Sequence, residues 1–412
     1  MKRIILLLAF AFPIIAFAQS NNAPSSYDPH DIKITGYLQT QFQRAQSEGI
    51  ASFSAGDFNP NANQRFMIRR GRLKIDRVDK YSSVVFQLDA TQDGVRLMDA
   101  FIQLNHPDYK ALRLTAGIFN RPFGYSIVYS SGYRDFPERA RVFQTLMPRE
   151  RDLGAMLSFQ PENQKWKFLN LDFAVISGSG LTAKDYDNKQ DYVGNIAFKF
   201  DSLAQGKMQL GFGGSIYKGT VRNNTDTYFT PDGAGYIAHT DESFVGKAID
   251  RSYYGANVQL AYANNFGETT LKAEYVTGNQ PGVANSDDIL GPYASQSFSS
   301  QPKTDLYKRS FQGGYVWFTQ EIGKTGLTAI ASYDFYDPNK KASGMEIGES
   351  GNHSTAADIK YSTFGYGLTY GFNERVKFTL YNEQVSNEKT RVAGYTHDLK
   401  DNVFTARIQY RW

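Results

Sequence analysis

From Lys33 to the last residue the chain repeats one pattern. Short stretches alternate apolar and polar side chains, then break at a polar turn. The final stretch shows it most cleanly. Phe404, Ala406, Ile408, Tyr410 and Trp412 form an apolar row, and Thr405, Arg407, Gln409 and Arg411 form a polar, cationic one. A strand with lipid on one side and a water-filled lumen on the other needs this split. Sixteen such strands are expected. The first is Lys33–Gln43, with Ile34, Leu38 and Phe42 opposite Lys33, Tyr37, Gln39 and Gln41. The others run near 65–77, 82–91, 96–105, 111–119, 152–160, 166–177, 191–201, 207–218, 253–263, 268–278, 308–321, 325–336, 357–371, 375–387 and 401–412. Each has about the ten residues that a tilted membrane strand requires. Strand 65–77 alternates least cleanly, which points to a bulge near Arg69-Arg70-Gly71.

The connections carry as much information as the strands. Short ones, Val78–Tyr81, His106–Lys110, Pro161–Lys165, Asp201–Gly206, Asn264–Gly267, Gly323–Thr325 and Phe372–Glu374, hold the Gly, Asn, Asp and Pro of tight turns. They alternate with long ones: Arg44–Gln64, Asn120–Arg151, Gly178–Gln190, Gly219–Ser252, Asn279–Tyr307, Asp337–Ala356 and Glu388–Lys400. One member of the long series, Thr91–Val95, is short. Segregated loop lengths, an even strand count and both termini on the short-turn side describe an all-β, 16-stranded antiparallel transmembrane β-barrel. The expected organisation is a signal peptide over 1–18, a periplasmic N-terminal segment over 19–32 and one barrel domain over 33–412. Around sixteen strands an aqueous channel remains inside the wall, so passive diffusion of small hydrophilic solutes is the function this count implies.

The N-terminus and composition agree. Lys2 and Arg3 precede an apolar run from Ile4 to Phe17, and Ala16-Phe17-Ala18 before Gln19 is a small-x-small cleavage pattern. This reads as a secretory signal cleaved after Ala18, hence export to a bacterial outer membrane. The chain has no Cys, so packing and strand pairing hold it together without disulfides. Aromatics make up 15% of the residues although mean hydropathy is negative, as expected where Tyr and Trp gather at two membrane interfaces. The net charge of +4 loses Lys2 and Arg3 with the signal, leaving about +2. That is too weak for a nucleic-acid partner. Any electrostatic role must come from where the charges sit.

Two places concentrate cations. The third long connection holds Arg121, Arg134, Arg139, Arg141, Arg149 and Arg151 against Asp135, Glu138 and Glu150. Its apolar residues Phe123, Ile127, Val128, Phe136, Val142, Phe143 and Leu146 suit a loop folded into the barrel. Guanidinium groups fixed in a constriction favour anions and bind phosphate or carboxylate bidentately. The second cluster is Arg65, Arg69, Arg70, Arg72, Lys74 and Arg77. With Leu73 and Ile75 toward lipid, Arg72 and Lys74 face the lumen. Parity also turns Arg113, Lys272, Lys377, Arg407 and Arg411 inward, together with Asp89, Asp99, Asp172, Glu274 and Glu383. The wall charges are therefore mixed.

Four segments carry a resemblance. Phe66-Met67-Ile68-Arg69-Arg70-Gly71-Arg72-Leu73, Val95-Arg96-Leu97-Met98-Asp99-Ala100-Phe101, Gly117-Ile118-Phe119-Asn120-Arg121-Pro122-Phe123-Gly124 and Arg151-Asp152-Leu153-Gly154 resemble the phosphate-selective porin O and P family. The resemblance implies a homotrimeric, sixteen-stranded porin with basic residues along its pore, passing anions or phosphate by Arg69, Arg70, Arg72 and the loop arginines. The chain departs from the family's phosphate-specific members in its nearly balanced charge, so a general or weakly anion-selective pore is expected. The expected partners are outer-membrane lipids, small anions, and the barrel-assembly machinery through the strand ending at Trp412. No cofactor or metal is expected. An enzyme is disfavoured: the five His residues, at 30, 106, 239, 353 and 397, are scattered, and no nucleophile motif accompanies them. The remaining alternative is a surface receptor or adhesin barrel using long polar loops such as 219–252 and 279–307.

Overall fold

A computed structural model describes residues 32–162, 165–181, 187–284 and 304–412. The expected signal segment and its cleavage site lie outside the described residues. The strands are β1 (Ile32–Ala45), β2 (Gln64–Val78), β3 (Ser82–Thr91), β4 (Gly94–Asn105), β5 (Leu112–Asn120), β6 (Arg151–Phe159), β7 (Leu169–Ile176), β8 (Asp191–Leu203), β9 (Met208–Arg222), β10 (Thr227–Asp232), β11 (Gly235–Thr240), β12 (Ala248–Asn264), β13 (Gly267–Gly282), β14 (Leu306–Glu321), β15 (Leu327–Asp337), β16 (Tyr361–Gly371), β17 (Val376–Asn387) and β18 (Val403–Arg411). All but β10 and β11 build one closed antiparallel wall of sixteen strands.

The wall forms because each strand has one lipid face and one lumen face. Phe66, Leu97, Ile102, Leu157, Phe173, Leu380 and Ile408 stand on the exposed outer surface, while their neighbours in sequence point into the barrel. No backbone group can be left unpaired in lipid, and closure removes the sheet edges. The closing pair is β1 with β18, in register from Tyr37 opposite Arg411 to Ala45 opposite Val403. Trp412 completes the seam. Its N–H donates to the Gly36 carbonyl at 3.1 Å, and its own carbonyl accepts from the Gly36 N–H at 3.2 Å. A Cβ at Gly36 would meet the indole ring at 2.5 Å, so the close approach needs glycine.

The expected bulge is present. Gln39 pairs with Arg70 but Thr40 pairs with Ile68, leaving Arg69 as the extra residue of β2. Before it, Phe66 and Ile68 face outward; after it, Leu73 and Ile75 do. The one-residue shift changes which parity faces lipid. It also lets the adjacent Arg69 and Arg70 both reach the lumen.

Several expectations are refined. β9 runs on to Arg222 and β12 begins at Ala248, so the wall extends past the ends expected at 218 and 253. The connection between them is no plain polar covering. It folds into the β10–β11 hairpin, turning at Gly233, and β10 joins β14 through a short parallel pairing at Tyr228–Leu306 and Phe229–Tyr307. Stacking of Phe229 on Tyr307 at 4.2 Å drives that docking. Arg151, expected in the third long loop, opens β6, and the loop itself, residues 121–150, contains one helical turn, α1 (Arg141–Leu146).

The lipid face tolerates charge poorly. Leu380→Arg, in the middle of β17, is expected to lower folding stability by about 2–4 kcal/mol, read as urea midpoints in lipid vesicles. An unchanged midpoint would contradict the outward placement of this row.

Candidate functional site

The third long loop folds inside the barrel. Its first arm, Pro122 to Tyr129, crosses strands β9 and β12–β14. The Gly124 N–H donates to Ser215 Oγ at 2.8 Å, and Phe123 meets Tyr253 edge-on at 6.3 Å. Glu274 of β13 then accepts the backbone N–H groups of Tyr125 and Ser126, at 3.1 and 2.9 Å, and the Tyr315 hydroxyl at 3.2 Å. Gly124 lies at φ +62°, and a Cβ there would run into the Glu274 carboxylate, so glycine permits this approach. Apolar packing follows the same path. Phe123, Ile127, Phe136, Val142, Phe143 and Leu146 are buried against Tyr253, Phe311, Tyr315, Trp317 and Tyr381 of the wall.

The loop's far end reaches the closing seam. Gln39 donates to the Ser131 carbonyl at 3.1 Å and Gln409 to the Gly132 carbonyl at 2.9 Å. Lys377 pairs with Asp135 at 3.0 Å, and Phe136 stacks on Trp317 at 5.1 Å. Glu138 is the centre of this end. Its carboxylate takes Arg69 at 2.8 Å, Arg70 at 2.7 Å and Arg407 at 3.0 Å. Burial opposes its ionisation, but the three guanidinium groups hold its carboxyl well below the usual range. The returning arm brings Arg139 back onto the loop. It donates to the carbonyls of Ser126 and Tyr129, at 2.7 and 2.9 Å, and pairs with Glu150.

A basic wall results. Arg72 pairs with Asp89 at 3.0 Å, and Arg151 pairs with Asp99 at 2.8 Å and Glu150 at 2.7 Å. Gln87 accepts from both Arg72 and Arg151, at 3.3 and 3.2 Å, and so joins the two pairs. Burial disfavours the charged form of Glu150, yet Arg139, Arg151, Arg72 and Arg70 bring its carboxyl down to about 2. Six guanidinium groups, of Arg69, Arg70, Arg72, Arg139, Arg151 and Arg407, thus share four carboxylates, of Glu138, Asp89, Asp99 and Glu150.

The other expected cations lie elsewhere. Arg121 pins the loop's base to Asp152 at 2.9 Å. Arg134 turns back onto the carbonyls of Phe136 and Pro137. Arg141 sits on α1 between the rings of Phe53 and Tyr361. Arg149 takes a left-handed φ of +59° where the loop returns to β6. Toward the short turns, Lys74 pairs with Asp76, Arg113 with Glu162, and Arg411 lies over Tyr133 at 4.4 Å. Beneath the first arm of the loop is a polar cavity of about 110 Å³, lined among others by Gln160, Asp172, Asn195, Lys199 and Gln259. Among the described residues no cluster of His, Asp or Glu could hold a metal ion. Sequence reasoning missed the anchoring role of Glu274 and the hub role of Glu138. Both appeared only as wall or loop charges, because their partners are distant in sequence.

A closed sixteen-strand wall, an inward third loop and a basic face on β2 form one constellation. The chain belongs to the phosphate-selective porin O and P family. That family's model matches residues 48–412. The fold is shared with solved outer-membrane channels at low identity. An anion-selective porin from Comamonas acidovorans is 10% identical with a TM-score of 0.55, covering 93% of this chain and 99% of that one. The outer-membrane channel DcaP of Acinetobacter baumannii is 12% identical with a TM-score of 0.54, covering 93% and 97%. OmpT of Vibrio cholerae, solved in a trimer form, is 10% identical with a TM-score of 0.52, covering 93% and 99%. No curated protein sequence matches. This porin is an outer-membrane channel for passive diffusion of small hydrophilic solutes, and its family and fold are those of a channel rather than an enzyme.

The depressed carboxyls give a pH expectation. Their ion pairs contribute stability that is complete above about pH 4.3, the unperturbed Glu value, and is lost as pH falls through the folded-state value. For Glu150 that value is about 2. Trp317, stacked on Phe136, reports the loop. With Trp166 and Trp412 replaced by Phe, its emission should hold steady from pH 5 to 4 and shift red as pH falls on toward 2. A red shift complete by pH 4 would show that these carboxyls titrate normally.

Proposed function

We propose that the pore favours small anions and that the basic wall sets this preference. The observation that carries the reading is the excess of guanidinium groups: six against four carboxylates along β2, β3, β4, β6, β18 and the inward loop. The groups are held by short contacts, so an entering anion meets preorganised positive charge at little reorganisation cost. Arg69 is the most accessible of the hub cations, with a side chain 25% exposed. A guanidinium fork binds phosphate or carboxylate bidentately. The family's description as phosphate-selective and the anion selectivity of the Comamonas relative support the same direction. Arg121 and Arg134 act in this reading as braces of the constriction, and Arg113, Lys74 and Arg411 as a weaker basic lining toward the periplasm. We infer a homotrimer, supported by the trimeric OmpT neighbour. Insertion by the barrel-assembly machinery would use β18 and Trp412.

Two variants should move ion preference in opposite directions. In planar bilayers under a potassium chloride gradient, Arg69→Gln with Arg72→Gln should shift the reversal potential toward cations. Glu138→Gln should shift it toward anions, and added phosphate should reduce wild-type current more than added sulfate-free chloride at equal ionic strength. Identical potentials for all three proteins would sink the role given to the basic wall. Export by the N-terminal signal has its own check: the mature protein from outer membranes should begin at Gln19, and an intact Met1 would refute it.

A further inference from the structure

The polar cavity beneath the first arm of the inward loop lies apart from the basic wall. None of the six wall guanidinium groups lines it. Strand pairing sets its frame. Asn170 of β7, Ala197 of β8, Gly213 of β9 and Asn257 of β12 stand opposite one another in one row across four strands. Two residues along, the row is Asp172, Asn195, Ser215 and Gly255. Two residues the other way, it is Lys199, Gly211 and Gln259. Phe212 and Ile216 are exposed on the outer surface, so Gly211, Gly213 and Ser215 face the lumen. Two glycines at successive inward positions, beside Ala197, leave the middle of these rows without bulky side chains. About 110 Å³ stays open there, with Pro122, Gly124, Tyr125 and Val128 of the loop against it.

The bare stretch is built into the sheet. A Cβ at Gly213 would stand 2.5 Å from the Ile196 carbonyl oxygen and 3.4 Å from Asn257 Nδ2. Glycine is therefore required, and the Asn257 amide lies over it.

Hydrogen bonds fix how the surrounding amides point. Ser215 donates to Asn195 Oδ1 at 2.9 Å, and Arg113 donates to Gln160 Oε1 at 2.9 Å. Asn195 and Gln160 therefore turn their NH2 groups toward Asp172, but reach its two oxygens only at 3.4 Å. Gln259 donates to Asn257 Oδ1 at 2.9 Å. That bond leaves Asn257 Nδ2 as a donor and Gln259 Oε1 as an acceptor. Among the described residues neither atom has a hydrogen-bond partner, and neither is sealed from solvent.

Donors and acceptors alternate here with little net charge. Lys199 and Asp172 offset each other, so neither an anion nor a cation is favoured. A hydroxyl group both donates and accepts. Neighbouring hydroxyls match this wall: they donate to Gln259 Oε1 and Asp172 and accept from Asn257 Nδ2. Val128 and Met156 supply apolar surface for the carbon chain. Size sets the limit. An engineered cavity of about 150 Å³ holds a benzene ring. The smaller space here suits a three-carbon polyol, or the end of a longer one whose remainder stands in the lumen.

We propose that this cavity binds small neutral polyols through Asn257, Gln259 and Asp172. The site gives uncharged solutes a resting place in the lumen that owes nothing to the basic wall, and its test does not depend on the ion preference of the pore.

The test titrates glycerol and 1,3-propanediol against the full mature protein in micelles, read by saturation-transfer NMR. Glycerol should saturate at a concentration about tenfold below the diol, which lacks neighbouring hydroxyls. Asn257→Ala removes the donor and should raise the glycerol value about tenfold. Ala197→Leu fills the middle of the row and should abolish saturable binding. Both variants should keep the wild-type reversal potential in planar bilayers, since neither alters a charge, and that result also shows that they fold. Gln259→Leu, which removes the acceptor, replaces either variant that fails to form channels and should weaken glycerol to the same extent. Phosphate at equal concentration should not displace glycerol. Equal values for glycerol and the diol, or a wild-type glycerol titration in the variants, would overturn the proposal. Displacement by phosphate would overturn it too, and would make the cavity an anion site at Lys199.

Discussion

The carboxylate of Glu138 is the point on which the interior depends. It is buried, and three guanidinium groups from two strands converge on it. A lone charge in that position would be strongly destabilising, and so would each arginine without it. The pairing therefore acts as a register pin more than as a source of net stability. It fixes the loop tip against β2 and β18, which lie on either side of β1. The bulge at Arg69 is what makes the convergence possible, because regular alternation would send one of two adjacent arginines into lipid. Local strand irregularity, loop position and wall charge are thus one arrangement.

The small net charge of the chain, +4, says little about this interior. Charges are sorted by place. Guanidinium groups gather on the β2 side and along the returning arm of the loop. Carboxylates without ion pairs among the described residues, at Asp334, Glu383 and Asp401, line one recess together with Arg139 and Arg141. Aromatic packing seats the loop on the wall: Phe136 stacks on Trp317 and Phe143 meets Tyr315 edge-on.

The fold was largely legible in the sequence because a lipid boundary imposes a strict period. The sixteen wall strands and the bulge in β2 follow from which residues can face hydrocarbon. The inward course of residues 121–150 was legible from its apolar content, since Phe123, Phe136 and Phe143 would have no reason to stand in water. Legibility ended where the period ended. The β10–β11 hairpin depends on Phe229 meeting Tyr307, a contact between residues far apart in the chain. The same holds for Glu274, which looks like any lumen charge until Gly124 brings two backbone N–H groups to it. The split of the arginines into wall, brace and cage could not be read either, because each has the same sequence signature and differs only in its partner.

The seam between β1 and β18 has a consequence for how the molecule comes into being. Its partners, from Tyr37 with Arg411 to Ala45 with Val403, are nearly a full chain length apart. The hairpins elsewhere join neighbours and can form early. This pairing bears the largest loop-closure entropy in the molecule and gains its reward last. Gln39, Gln409 and Arg407 on these two strands also hold the loop tip, so the same closure that seals the cylinder completes the seat of that tip. A barrel with this pairing unmade would have neither a sealed wall nor the seam's contacts to the loop tip.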